Sequence, residues 1–192
     1  MAISNTKRYS RQGLWSLFLM CAFPLHVWTI ILALRDFSWV TERTNAWDAI
    51  GVISYGMVFA LIESLVVFLA AVLLGFLVSR QWDEGRRIAL LSVLVLITAL
   101  WAMTSQLYFL WGVSLPEQMM RFLAQSEHPV RVLYATGLAL VLPTVLIPAF
   151  LVLKSNKVFH FVRELTERLS LLTMFYLVLD AGGLVIVVVR NL

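Results

Sequence analysis

The sequence predicts an all-α polytopic integral membrane bundle of five transmembrane helices, with an extracytoplasmic surface helix and a cytoplasmic amphipathic extension. Three observations carry this expectation. Hydrophobic residues fill 61% of the 192 positions and the mean hydropathy is +0.88, which leaves too few charged side chains to coat a water-soluble domain. Apolar runs of about 20 residues or more recur five times, each long enough at about 1.5 Å per residue to cross roughly 30 Å of hydrocarbon. The formal charge is +4, but the basic residues cluster beside apolar runs, which is the pattern of topology signals and argues against a nucleic-acid partner.

The first span, 13–34, follows a polar tail with Lys7, Arg8 and Arg11. It exceeds the roughly 7–15 residues of a signal-peptide core and no small-x-small cleavage site follows, so a retained signal-anchor helix is expected. Met20 precedes the single cysteine, Cys21, where lipoprotein processing needs a small residue, so the thiol reads as a core side chain. Pro24 removes a backbone donor in mid-helix and is expected to bend the chain just before His26. The connection RDFSWVTERTNAWD has the Trp and Phe content of an interfacial belt, and Asn45 with Asp48 forms a capping box that starts the second helix near Ala46.

The second span, 49–79, holds one ionisable side chain, Glu63, close to its middle. The arginine-rich turn RQWDEGRR joins it tightly to the third span, 88–111, which ends in Trp101, Tyr108, Phe109 and Trp111. Ser114-Leu-Pro-Glu117 reads as a capping box for a short surface helix with Leu115, Met119, Phe122 and Leu123 on one face. The fourth span, 132–153, contains Pro143 and Pro148, which are expected to bend or break it. Ser155 is expected to cap a basic amphipathic helix that runs into the fifth span, 169–189. Its Val158, Phe161, Val162 and Leu165 share a face, and Arg163 with Glu167 and Glu164 with Arg168 are i, i+4 pairs. Such a helix either lies among anionic headgroups or stands upright against a protein partner. No internal repeat supports an inverted-repeat transporter, and the chain reads as a single transmembrane domain over 1–192.

Lys and Arg in alternate connections divide ten against five, which places the N-terminus in the cytoplasm and the C-terminus outside a bacterial-type plasma membrane.

Midpoints of the spans place His26, Glu63 and Asp180 within about one helical turn of the bilayer centre. A charge there costs roughly 2.5–3.5 kcal/mol on insertion scales, and no lysine or arginine lies in an apolar span to neutralise it. Two readings follow. In the first, Glu63, Asp180 and His26 exchange a proton or hold a cation, with Tyr176, Gln106 and Ser64 as supporting polar groups, in a small proton- or cation-coupled carrier or channel. In the second, the carboxyls are hydrogen-bonding glue and His26 satisfies carbonyls freed beside Pro24, in a non-catalytic membrane subunit or anchor. Gly56, Ala60, Ser64, Ala71 and Gly75 form a small-residue stripe suited to close helix approach, and Gly182-Gly183 reads as close packing or a flexible point beside Asp180. The expected partners are the lipid bilayer and a second copy or a partner membrane subunit.

Other chemistry ranks lower. A bis-histidine haem needs a second intramembrane imidazole, and His128 and His160 flank the spans. A retinal Schiff base needs a lysine within a helix, whereas Lys7, Lys154 and Lys157 lie in tails or connections. No H-E-x-x-H, Walker, G-x-G-x-x-G or G-x-S-x-G pattern occurs, so no catalytic residue, metal or cofactor is assigned. With nearly all of the chain used in spanning, no soluble domain remains to house a reaction.

Cysteines introduced singly at Asn5 and Asn191 test the odd number of spans. They are expected to react with an impermeant maleimide from opposite sides of sealed membranes. Labelling of both from one side refutes five crossings.

Overall fold

The computed structural model describes residues 9–78 and 82–192. Lys7, Arg8 and Arg80 of the charge count, and the last residue of the predicted second span, lie outside the described residues. Among the described residues the chain is all helical, with α1 (Arg11–Arg35), α2 (Phe37–Arg43), α3 (Ala46–Leu77), α4 (Glu84–Leu110), α5 (Glu117–Ala124), α6 (Pro129–Lys154) and α7 (Asn156–Asn191). Five of these, α1, α3, α4, α6 and α7, are long and apolar enough to cross a membrane. The termini of the bundle therefore lie at opposite ends, called here the N-terminal side and the C-terminal side.

Local chemistry sets several boundaries. Ser10 accepts from Gly13 N at 2.9 Å, Asn45 from Asp48 N at 2.9 Å and Ser155 from Val158 N at 3.4 Å, each satisfying a backbone donor that the first helical turn leaves open. Beyond the end of α4, Gly112 has φ +61°, in the left-handed region that other residues reach only with strain.

One expectation is overturned and three are narrowed. Ser114 does not cap α5: the N-cap is Pro116, without a side-chain bond, and the helix begins at Glu117. A proline disfavours helical geometry in the residue before it, so Leu115 cannot open the helix that a Ser114 cap requires. The prolines do not break their helices, since α1 runs unbroken through Pro24 and α6 through Pro143 and Pro148. In hydrocarbon a broken helix has no water to satisfy its freed backbone, so losing one bond is the cheaper course. The belt connection is partly helical, forming α2. Finally, the stretch after Ser155 stands upright as the first turns of α7. Phe159 and Val162 pack against Ala89, Leu90 and Val93 of α4 and Val152 of α6, while Phe161 is exposed. Of the two alternatives the packed helix is the one formed: Val158 and Val162 of the expected apolar face are covered by the neighbouring helices, and Phe161 of that face is not. The predicted pairs do form, with Arg163 Nε to Glu167 at 3.0 Å and Arg168 Nη2 to Glu164 at 2.6 Å.

α1 is the central helix, packed against α3, α4 and α7. Leu17 and Cys21 of α1 meet Ala71 of α3 and Leu91 of α4, and the Phe18 and Phe68 rings stand edge to face at 5.7 Å. Burial is uneven along the bundle. No residue of α1 after His26 is buried, no described side chain of α4 after Val93 is, and α6 buries only Ala149 and Val152. On the N-terminal side the helix ends are bound together: Arg86 donates to Leu153 O at 2.6 Å and to Asn156, and Arg87 donates to Trp82 O at 3.2 Å. On the C-terminal side the connections through α2 and α5 are long and let the ends of α1, α4 and α6 diverge.

The α3–α7 pair is the exception, closed where the start of α3 meets the end of α7. Ala49, Gly51, Ser54, Met57, Ala60 and Ser64 make a buried row on α3, and Arg190 at the end of α7 donates to Asp48 Oδ1 at 2.8 Å and to Trp47 O at 2.6 Å. Gly183 sits on this seam: a Cβ there would lie 3.4 Å from Ser54 O, whereas one on Gly182 would meet nothing within 4 Å. Small residues at such contacts let helix backbones approach closely. Gly183→Leu is expected to cost about 1–3 kcal/mol, the usual penalty of overpacking, while Gly182→Leu is near neutral. Unfolding of the two variants in mixed micelles measures the difference, and equal stabilities would refute the seam.

Candidate functional site

The three ionisable groups expected at one depth divide between two places. His26 and Asp180 meet in the interior, where α1 packs against α7. Both side chains are inaccessible, His26 at 0% and Asp180 at 2% exposure. His26 Nδ1 lies 2.7 Å from Ala22 O, and since a carbonyl only accepts, this nitrogen carries a hydrogen. His26 Nε2 lies 2.8 Å from Asp180 Oδ2, so one proton is held between them. Placed on the ring it makes an imidazolium beside a carboxylate. Placed on the carboxyl it makes two neutral groups. In either assignment the pair has no net charge, which is the condition for burying two ionisable groups at mid-span.

The carbonyl that engages His26 is not the one freed by Pro24. Proline at 24 leaves Met20 O without its helical donor, whereas the ring turns to Ala22 O, the acceptor of its own i, i−4 position. Tyr176, one turn before Asp180, stacks on the imidazole with centroids 5.9 Å apart and planes 7° apart. It thus fixes the ring by its face and is not the hydroxyl donor to Asp180 that the one-turn spacing suggests. Asp180 Oδ1 is buried without a hydrogen-bond partner among the described residues. Ser64, also fully buried, donates to Ala60 O at 2.6 Å and so turns back on its own helix.

Glu63 is elsewhere. It is exposed, and among the described residues no hydrogen bond or ion pair engages it. It lines a groove of about 1040 Å³ between α1, α3 and α4, where these helices diverge. The groove runs from Asp36, Phe37 and Trp39 near the C-terminal side down to Glu63, Val66 and Val67 at mid-span. Gln106 of α4 lines it, as do Trp28 and Thr29 of α1, while neither His26 nor Asp180 does. Its ionisable lining groups are Glu63 and Asp36, and Asp36 has Arg35 Nε at 3.9 Å. Glu63 is therefore the carboxyl of the groove that has no ion-pair partner among the described residues. No group of three or more His, Cys, Asp or Glu poised to hold a metal ion occurs among the described residues.

The pairing of His26 with Asp180 was foreshadowed by their common depth, but the Trp28 and Asp36 contributions to the groove had no signal in the sequence. Both are ordinary residues for a membrane interface, and only the divergence of α1 from α4 exposes them to a common space. Compared with known protein families, curated proteins and solved structures, the chain matches none.

The interior pair supports a double-variant test. His26→Phe or Asp180→Leu alone leaves one buried polar partner unsatisfied and is expected to destabilise the bundle by about 1–3 kcal/mol. The two together are expected to cost less than the sum of the singles, because neither orphan remains. Additive costs in mixed-micelle unfolding would show that the 2.8 Å contact contributes nothing.

Proposed function

We propose that this protein is a small proton- or cation-coupled carrier or channel in which Glu63 meets the permeant ion. The observation that carries the reading is an unpaired carboxyl, exposed at mid-span, in a groove that opens toward one side of the bundle. An intramembrane carboxyl kept in such a position is costly, and a groove that admits ions or water is what offsets that cost. His26 and Asp180, steadied by Tyr176, form the second element: a closed, neutral pair that holds a proton between two spans. The distribution of basic residues orients the chain with its N-terminus in the cytoplasm and its C-terminus outside a plasma membrane.

A non-catalytic membrane subunit or anchor is the second reading, favoured by α6. Only Ala149 and Val152 of this helix are buried, so nearly its whole length presents apolar side chains outward, a surface suited to lipid or to a helix of a partner or second copy.

Proton flux into sealed vesicles containing the purified chain separates the readings. The carrier reading expects flux that falls to the protein-free background in Glu63→Gln and is reduced at least about tenfold in Asp180→Asn, a rise of roughly 1.4 kcal/mol or more in the rate-limiting barrier. Flux unchanged in both variants removes the carboxyls from the mechanism. No flux from the intact chain favours the subunit reading.

A further inference from the structure

We infer that the Glu63 groove binds an organic cation with an apolar body, a lipophilic amine or onium ion whose charged centre sits at the carboxyl. This inference rests on the carrier reading for its place in transport and on the groove itself for its chemistry. The volume, about 1040 Å³, lies at the upper end of what small-molecule sites occupy, far more than a bare proton or metal ion requires. Most of its wall is aliphatic or aromatic, including Leu25, Val52, Ile53, Phe59 and Met103, so an occupant must bury an apolar surface.

The sign of the charge follows from the lining. Both ionisable groups are acidic, no lysine or arginine borders the groove, and Asp36 already has Arg35 beside it. An anion would meet two carboxyls and no cationic side chain in the lining, and a neutral apolar molecule would leave Glu63 without a partner. A hard metal ion needs several oxygen ligands, typically six to eight for calcium, whereas the lining offers the Glu63 carboxyl at mid-helix, with the Thr29 hydroxyl and the Gln106 amide nearer the C-terminal side. Thr29 Oγ1 has committed its hydrogen to Leu25 O at 3.0 Å and presents lone pairs alone. Trp28 adds an indole, the ring type with the strongest attraction for cations, and such attraction grows when the cation is shielded from water. Acceptors, an aromatic ring and one unpaired negative charge within an apolar wall together suit a weakly hydrated organic cation.

The probes are tetraphenylphosphonium and tetraphenylborate, which share four phenyl arms and differ in the sign of the charge. Equilibrium dialysis of the full chain in detergent micelles is expected to show saturable binding of the phosphonium, not displaced by the borate. Glu63→Gln is expected to weaken it by at least about tenfold, since a contact to an ionised group is replaced by one to a neutral amide. Glu63→Asp, which keeps the charge, is expected to retain binding and so exposes any folding defect. Ala102→Phe, which fills the groove wall, is expected to abolish binding with the carboxyl intact. Equal binding of both ions, or unchanged phosphonium affinity in Glu63→Gln, overturns the inference and makes the groove a bed for lipid chains. Absent phosphonium binding together with persistent Glu63-dependent proton flux overturns the ligand class and leaves the carrier reading standing. Glu63-dependent binding without any flux upholds the site and removes the carrier reading.

Discussion

The hydrogen bond between His26 Nε2 and Asp180 Oδ2 joins the first span to the last, and its burial dictates how closely the helices around it must pack. Two ionisable groups can lie at mid-span only if their charges cancel and their polar atoms are engaged, because hydrocarbon offers neither water nor counter-ions. The imidazole meets both demands through Ala22 O on its own helix and Asp180 on α7, and Tyr176 covers its face. Around that contact α3 presents glycine, alanine and serine, so that backbones close on each other and exclude lipid. Losing the carboxyl or the ring would leave a polar orphan in the driest part of the molecule.

Packing then follows from how the helix ends are joined. On the N-terminal side the Arg86 contacts to Leu153 O and Asn156 hold α4, α6 and α7 together, and the buried clusters of the bundle gather there. On the C-terminal side α7 and α3 are tied, through Arg190, Asp48 and the carbonyl of Trp47. The space between α1, α3 and α4 there is the groove that reaches Glu63. Because the tight and loose parts of the bundle share helices, the closed interior pair and the open carboxyl lie on different faces of the same small scaffold.

That division bears on function. A buried neutral pair and an exposed unpaired carboxyl are opposite solutions to the same electrostatic cost, the first by cancellation within the protein and the second by leaving the charge where something else must neutralise it. The proposals for transport and for an organic cation both rest on the second solution. Either a solute, water or a partner has to complete Glu63, and the predominantly apolar lining limits which of them fits.

The spans, their count, the Asn45 and Ser155 caps and the ion pairs of Arg163 and Arg168 were all legible in the residues, because each depends on neighbours within a turn or on the length of an apolar run. That His26, Glu63 and Asp180 fall near the middles of their spans was legible for the same reason, since rise per residue is constant along a helix. Which of the three meet was not, because the rotation of one helix about its axis relative to another depends on the side chains of every helix around it. That rotation brings Asp180 to His26 and turns Glu63, on a helix that touches both α1 and α7, away from them into the groove. It also leaves Phe161 outside and brings Phe159 in beside Val158 and Val162 at the start of α7, one departure from the apolar stripe read along that segment. Depth is a property of one helix and can be counted along the chain, whereas contact belongs to several helices at once and arises only when they pack.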